Sequence, residues 1–158
     1  MKLKAGVVFG VAVVLWQLIF GFAGLYKNPA MGWVFPIVAI AITAGVLFWA
    51  LKQTAAEGKR YWGLVATGVV VALIACVLII LGSLLYTSVL FPDYAEIALA
   101  QAVEQFEAQG LPEEQREIQM KATEWLLSPV PQALIGAVMT LITSFIVSLI
   151  VAAIVRQK

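Results

Sequence analysis

Residues 62–90 read WGLVATGVVVALIACVLIILGSLLYTSVL, an apolar run without one charged side chain. A hydrocarbon core about 30 Å thick is crossed by about 20 helical residues. This run is therefore a membrane span with length to spare, and it must tilt or project beyond the bilayer. Working outward, three further runs have the same character, at residues 5–26, 33–51 and 130–155. The chain is 63% hydrophobic and only 12% charged, against about 25% charged in ordinary soluble domains. The expected fold is an all-α membrane protein in which four transmembrane helices and one helical hairpin form a single unit over residues 1–158.

The first span has to be distinguished from a signal peptide, because Lys2 and Lys4 precede it. It exceeds the roughly 7–15 apolar residues of a signal core and ends at Tyr26-Lys27-Asn28-Pro29 without a small-x-small cleavage site. It is read as a retained span. Lys27 to Gly32 then form a short turn, and the polar segment 52–60, with Gly58, separates spans two and three. Trp33 and Trp49 fall near the ends of span two, where indoles favour the interface.

Composition changes completely at residues 91–128. Eight of the nine acids lie here, from Asp93 and Glu96 to Glu124, opposed only by Arg116 and Lys121. Gly110 reads as a helix stop, and Pro112-Glu113-Glu114 as a helix start. Two helices, at about 92–109 and 112–127, follow from this punctuation. Leu99, Val103 and Phe106 share a face of the first, and Ile118, Ala122 and Trp125 a face of the second, so an amphipathic hairpin is expected. Phe106, Ile118 and Trp125 are its candidate partner-facing residues. Tyr94 and Trp125, near its two roots, are expected to touch the membrane interface.

Basic residues give an orientation. Lys2, Lys4, Lys52, Lys59, Arg60, Arg156 and Lys158 fall on one side of a four-span chain, and Lys27, Arg116 and Lys121 on the other. The positive-inside rule then places both termini in the cytoplasm and the hairpin outside, in the periplasm if the host is a bacterium with an inner membrane.

Within lipid, helices associate through small residues and occasional polar contacts. At 100° per residue, Gly6, Gly10, Gln17, Gly21 and Gly24 fall within a stripe of about 60° on span one. Gly68, Ala72, Ala75 and Gly82 share a face of span three, together with Tyr86. Gly136, Thr140, Ser144 and Ser148 recur every four residues on span four, in a row that drifts by about 40° per step. All are expected at helix contacts, with Gln17 hydrogen-bonded to Thr43, Ser83 or Thr140 of a neighbouring span.

Several chemistries are disfavoured. There is no histidine, hence none of the commonest general base or metal ligand. Cys76 is the only cysteine and is expected to be a small buried packing residue. No Asp, Glu, Lys or Arg lies inside any span, unlike proton relays, voltage sensors and most ion-coupled carriers. Glu113, Glu114 and Glu117 cluster on the hairpin, but without an EF-hand pattern and interleaved with Arg116 and Lys121 they read as a solvated face. No catalytic, metal or cofactor residue is expected, and no nucleic-acid partner, since the net charge is only +1.

The order of short motifs resembles one family. A basic break precedes span three; Phe91-Pro92-Asp93-Tyr94 leads into the acidic hairpin; Leu111-Pro112-Glu113-Glu114-Gln115 and Leu127-Ser128-Pro129 lead into span four. This layout resembles the bacterial domain-of-unknown-function family four-one-nine-nine over nearly the whole chain. The resemblance implies the topology and carries no activity with it. The functional expectation is a non-enzymatic accessory or assembly subunit, bound to lipids and to a protein partner or further copies of itself. The alternative is an oligomeric channel or carrier for a small neutral or lipidic solute.

Overall fold

The computed structural model describes residues 1–156, so that Lys158, counted above in the orientation, lies outside the described residues. Among these, six helices follow one another: α1 (Lys2–Phe22), α2 (Val34–Ala56), α3 (Tyr61–Leu85), α4 (Tyr94–Ala108), α5 (Glu113–Leu126) and α6 (Pro129–Val155). Four of the helical stretches, those of α1, α2, α3 and α6, are long and apolar enough to cross a membrane. The outward faces of these helices carry large apolar side chains such as Leu15, Ile19, Leu73, Val77 and Ile150. A water-soluble monomer rarely exposes so much apolar surface, so the surface fits a multi-pass membrane protein.

The element ends depart from the sequence reading where backbone chemistry intervenes. Span one ends at Phe22 rather than residue 26, because Gly24 takes φ +70 and its N–H bonds the Gly21 carbonyl. A left-handed residue at this position closes a helix, and glycine adopts it without a Cβ clash. Gly24 is thus a helix terminator, with open space where a Cβ would be, and not part of a packing stripe. Span two continues past residue 51 to Ala56, since no breaker occurs before Gly58. Span three remains helical to Leu85 and then widens into a π turn, Tyr86–Leu90, closed by the Phe91 N–H on the Tyr86 carbonyl at 2.8 Å.

The spans pack as a square in which α3 lies against α1 and α6, and α2 completes it against the same two helices. Cβ atoms built on Gly6, Gly10 and Gly82 would collide with Ile74, Leu78 and Val14 respectively, so α1 and α3 run parallel in close contact. A Cβ on Gly68 would collide with Ser148, and the Cys76 thiol donates to the Ala137 carbonyl at 3.4 Å, so α3 and α6 run antiparallel. Ala72, Ala75, Ser144 and Ser148 are all fully buried. Fit between small residues holds these helices, which is what lipid surroundings require.

The contiguous apolar core stops short of one end. Leu47, Ala50, Leu51, Leu64, Val65, Val151 and Ala152 form a core near the chain termini. At the other end, where α4 and α5 lie, α2 buries nothing before Thr43. The helices leave space there.

Helix α4 roofs that space. The Gln101 side chain donates to the Tyr26 and Lys27 carbonyls at 3.2 and 3.3 Å, which holds α4 across the α1–α2 connection. Gly110, at φ +64, reverses the chain, and α5 packs back against α4. The face it presents differs from expectation. Arg116, Met120, Thr123 and Leu127 are the half-buried positions, and Arg116 reaches Glu107 of α4 at 3.8 Å. Ile118 and Trp125 are 63% and 64% exposed on the opposite face, and only Phe106 of the three candidate partner-facing residues is half-buried within the pair. The long stems of Arg116 and Met120 fill the α4 contact, which frees the Ile118–Trp125 face.

Candidate functional site

A cavity of about 300 Å³ occupies the end of the bundle beneath α4. Every helix but α5 contributes to its wall: Gln17 and Phe20 from α1, Phe35 and Ala39 from α2, Ser83 from α3, Ala98 and Gln101 from α4, Gln132 and Gly136 from α6. Its lining is apolar and aromatic with amides and hydroxyls between, and contains no Asp, Glu, Lys or Arg. Preformed sites for small uncharged ligands have this makeup.

An aromatic box closes one side. The Tyr86 ring lies 4.6 Å from that of Phe91 and 5.6 Å from that of Tyr94, and the Tyr26 ring lies 5.6 Å from both Phe91 and Tyr94. Ring pairs at such separations add stabilisation beyond the area they bury. Gly21 makes room for the box, since a Cβ there would strike Phe91 and Tyr86. The π turn follows directly on α3 and begins at Tyr86, on the cavity wall.

The box is held uncharged. Burial pushes the Tyr94 phenol up, against a smaller opposing effect of the neighbouring Gln132 side chain. Burial, then the nearby Asp93 carboxylate, pushes the Tyr26 phenol up, and its hydroxyl donates to Asp93 at 3.3 Å. Both phenols therefore stay protonated at neutral pH.

Two polar atoms of the wall lack any partner, the Tyr86 hydroxyl and Gln132 Oε1, although both are buried and Tyr86 is only 2% exposed. Buried polar atoms without a hydrogen bond are costly and uncommon, and binding sites are one place they occur. Gln17, half-buried, also borders the cavity. Its expected cross-span hydrogen bond is not formed: Thr43 and Thr140 donate to the Ala39 and Gly136 carbonyls. Gly136 and Thr140 likewise line the cavity and not a helix contact, while Ser144 and Ser148 are buried. The drift of the four-residue row explains the division, because successive members turn steadily out of the α3 contact.

Sequence reasoning reached Gln17, Gly136 and Thr140 but assigned them to packing, and it left Gln101 and Gln132 unremarked. Gln132 is one turn inside a span, and a neutral amide there is the signal that could have marked it.

The model of the family described as a protein of unknown function (DUF4199) matches residues 4–157. The chain belongs to that family. The match covers both roots of the α4–α5 pair and all four apolar helices, so the cavity of this DUF4199 chain lies wholly inside the shared region. No curated protein and no solved structure matches it. Among the described residues of this DUF4199 member, no three acidic or cysteine side chains gather as a metal site would require.

Proposed function

We propose that the protein is a non-enzymatic, multi-pass membrane protein that binds a small neutral solute in the cavity beneath α4. The observation that carries this reading is a built, uncharged cavity whose wall holds unpartnered polar atoms. It favours the carrier alternative over an accessory role. A short-chain diazirine alcohol, photolysed with the full chain in nanodiscs, tests it. Adducts should concentrate on Tyr86, Gln101 and Gln132 and fall at least about tenfold in Ala133→Trp, which fills the space. Adducts spread over lipid-facing residues, unchanged in Ala133→Trp, would overturn the reading.

The accessory or assembly role keeps one specific support, the exposed Ile118–Trp125 face of α5. It predicts a stoichiometric complex in gently solubilised native membranes, and that complex should be lost in Ile118→Glu.

The proposed orientation puts both termini in the cytoplasm and α4 and α5 outside, supported by the basic flanks of the termini end. In a bacterial inner membrane the cavity then occupies the periplasmic half. Cysteines at Gln105 and Gln115 in a Cys76→Ser background should react with an impermeant thiol reagent from the periplasmic side. Labelling only after the inner membrane is broken would reverse the orientation.

A further inference from the structure

We infer that the ligand is a single-chain amphiphile with an uncharged hydroxyl or amide head, entering sideways from the bilayer between α2 and α6. This rests on the binding reading above and specifies its substrate class.

The head chemistry follows from the wall. Gln132 Oε1 accepts a hydrogen bond, the Tyr86 hydroxyl donates or accepts one, and the Gln17 amide does both. No lining side chain carries a charge to balance an ionic head, and burying an unpaired ion is strongly unfavourable. A head that both donates and accepts satisfies the wall; a carboxylate or phosphate does not.

Size and access follow from α2 and α6. About 300 Å³ is roughly ten waters' worth of space. That volume takes a polar head and the first carbons of one chain. The rest of the chain needs an exit. Gly136 borders the cavity, is exposed, and has open space where its Cβ would be. On α2 the lining residues are Phe35, whose ring packs on Trp16 and Phe20 of α1, and Ala39, both in the stretch before Thr43 where no α2 residue is fully buried. The small residues Ala39 and Gly136, on the adjacent helices α2 and α6, give the exit its slot towards the bilayer, and Gln101 holds α4 over the cavity.

Three photoprobes test this with the full chain in nanodiscs: a diazirine monoacylglycerol, the corresponding diazirine fatty acid, and the short-chain diazirine alcohol. With the diazirine near the head, monoacylglycerol adducts should map to Gln17, Tyr86 and Gln132. Tyr86→Phe combined with Gln132→Leu should reduce them about tenfold or more. Gly136→Leu and Ala39→Leu, from opposite sides of the slot, should each reduce monoacylglycerol adducts at least about tenfold while the short alcohol still labels. Because the Gly136 Cβ meets nothing, that variant should fold, and agreement with Ala39→Leu guards against a local defect. Equal labelling by the fatty acid would overturn the uncharged head. Labelling by the short alcohol but never by the monoacylglycerol would overturn the amphiphile and leave solute binding standing. Labelling by none of the three would overturn both.

Discussion

Gly68→Leu should strongly destabilise the bundle, whereas Gly45→Leu should leave it intact. A Cβ on Gly68 would run into Ser148, on a side chain that is fully buried, with the Leu51 side chain also nearby. The Ser148 hydroxyl could rotate away, but its Cβ, 2.8 Å from the new Cβ, could not, so the backbones must separate. Overpacking a close contact costs about 1–3 kcal/mol, and a whole leucine at a helix crossing belongs at or above the upper end. A loss of at least about 3 kcal/mol corresponds to a fall in melting temperature of roughly 10 °C in a chain of this size. Gly45 is also within a helix, but nothing lies within 4 Å of its Cβ position. Gly45→Ala should even stabilise modestly, by up to about 1 kcal/mol, through better helix propensity. Thermal unfolding in a mild detergent, followed by circular dichroism, reads both. Ser148→Gly should restore much of the stability lost in Gly68→Ala, because the two positions compete for one space. Equal tolerance at Gly68 and Gly45 would defeat the packing argument.

Phe91→Ala should free the roof without melting the spans. The Phe91 ring meets those of Phe22, Tyr26 and Tyr86, and so joins the end of α3 to that of α1 just before α4 begins. Truncating a fully buried phenylalanine costs about 3–5 kcal/mol, so this half-buried one should cost about 2. The loss should be local. Amide hydrogen exchange should rise at least about tenfold over Tyr94–Ala108, while Tyr61–Leu85 stays protected. Phe22→Ala is the control, because Phe22 is exposed and its ring pairs with Phe91 alone. Uniform loosening of all helices in Phe91→Ala would show that α4 is not a separately docked element.

The spans were legible because length and uninterrupted apolarity report directly on a bilayer. The close contacts at Gly6, Gly10, Gly68 and Gly82 were legible for a related reason: glycine is a poor helix former, and its alignment on one face has few other causes. Gly24 belonged to the same stripe by angle alone. A helical wheel assumes that the helix continues, and Gly24 is the residue that ends it. The cavity was not legible. Its polar residues, Gln17, Tyr86, Gln101 and Gln132, come from four different helices, and each reads alone as an isolated packing or capping residue. Only the tertiary arrangement, in which α2 has no fully buried residue before Thr43, brings them around one space, and that leaves no periodic mark. The reversed face of α5 was hidden because Arg116, charged and assigned to water, lends its aliphatic stem to the interior of the pair.

The parallel pairing of α1 with α3 bears on how the chain is made. Helices consecutive in sequence can dock as soon as the second leaves the translocation channel. Here α1 finds its glycine-lined partner surface, around Ile74 and Leu78, only after α2 has already turned back through the membrane. At typical synthesis rates that is an interval of several seconds. Throughout it, Gly6 and Gly10 face lipid or the insertion machinery, and α1, even once paired with α2, keeps an unfilled notch along one side. Assembly therefore depends on α1 waiting nearby, and a slow codon run or an insertion between α2 and α3 would lengthen that exposure without altering one contact of the finished bundle.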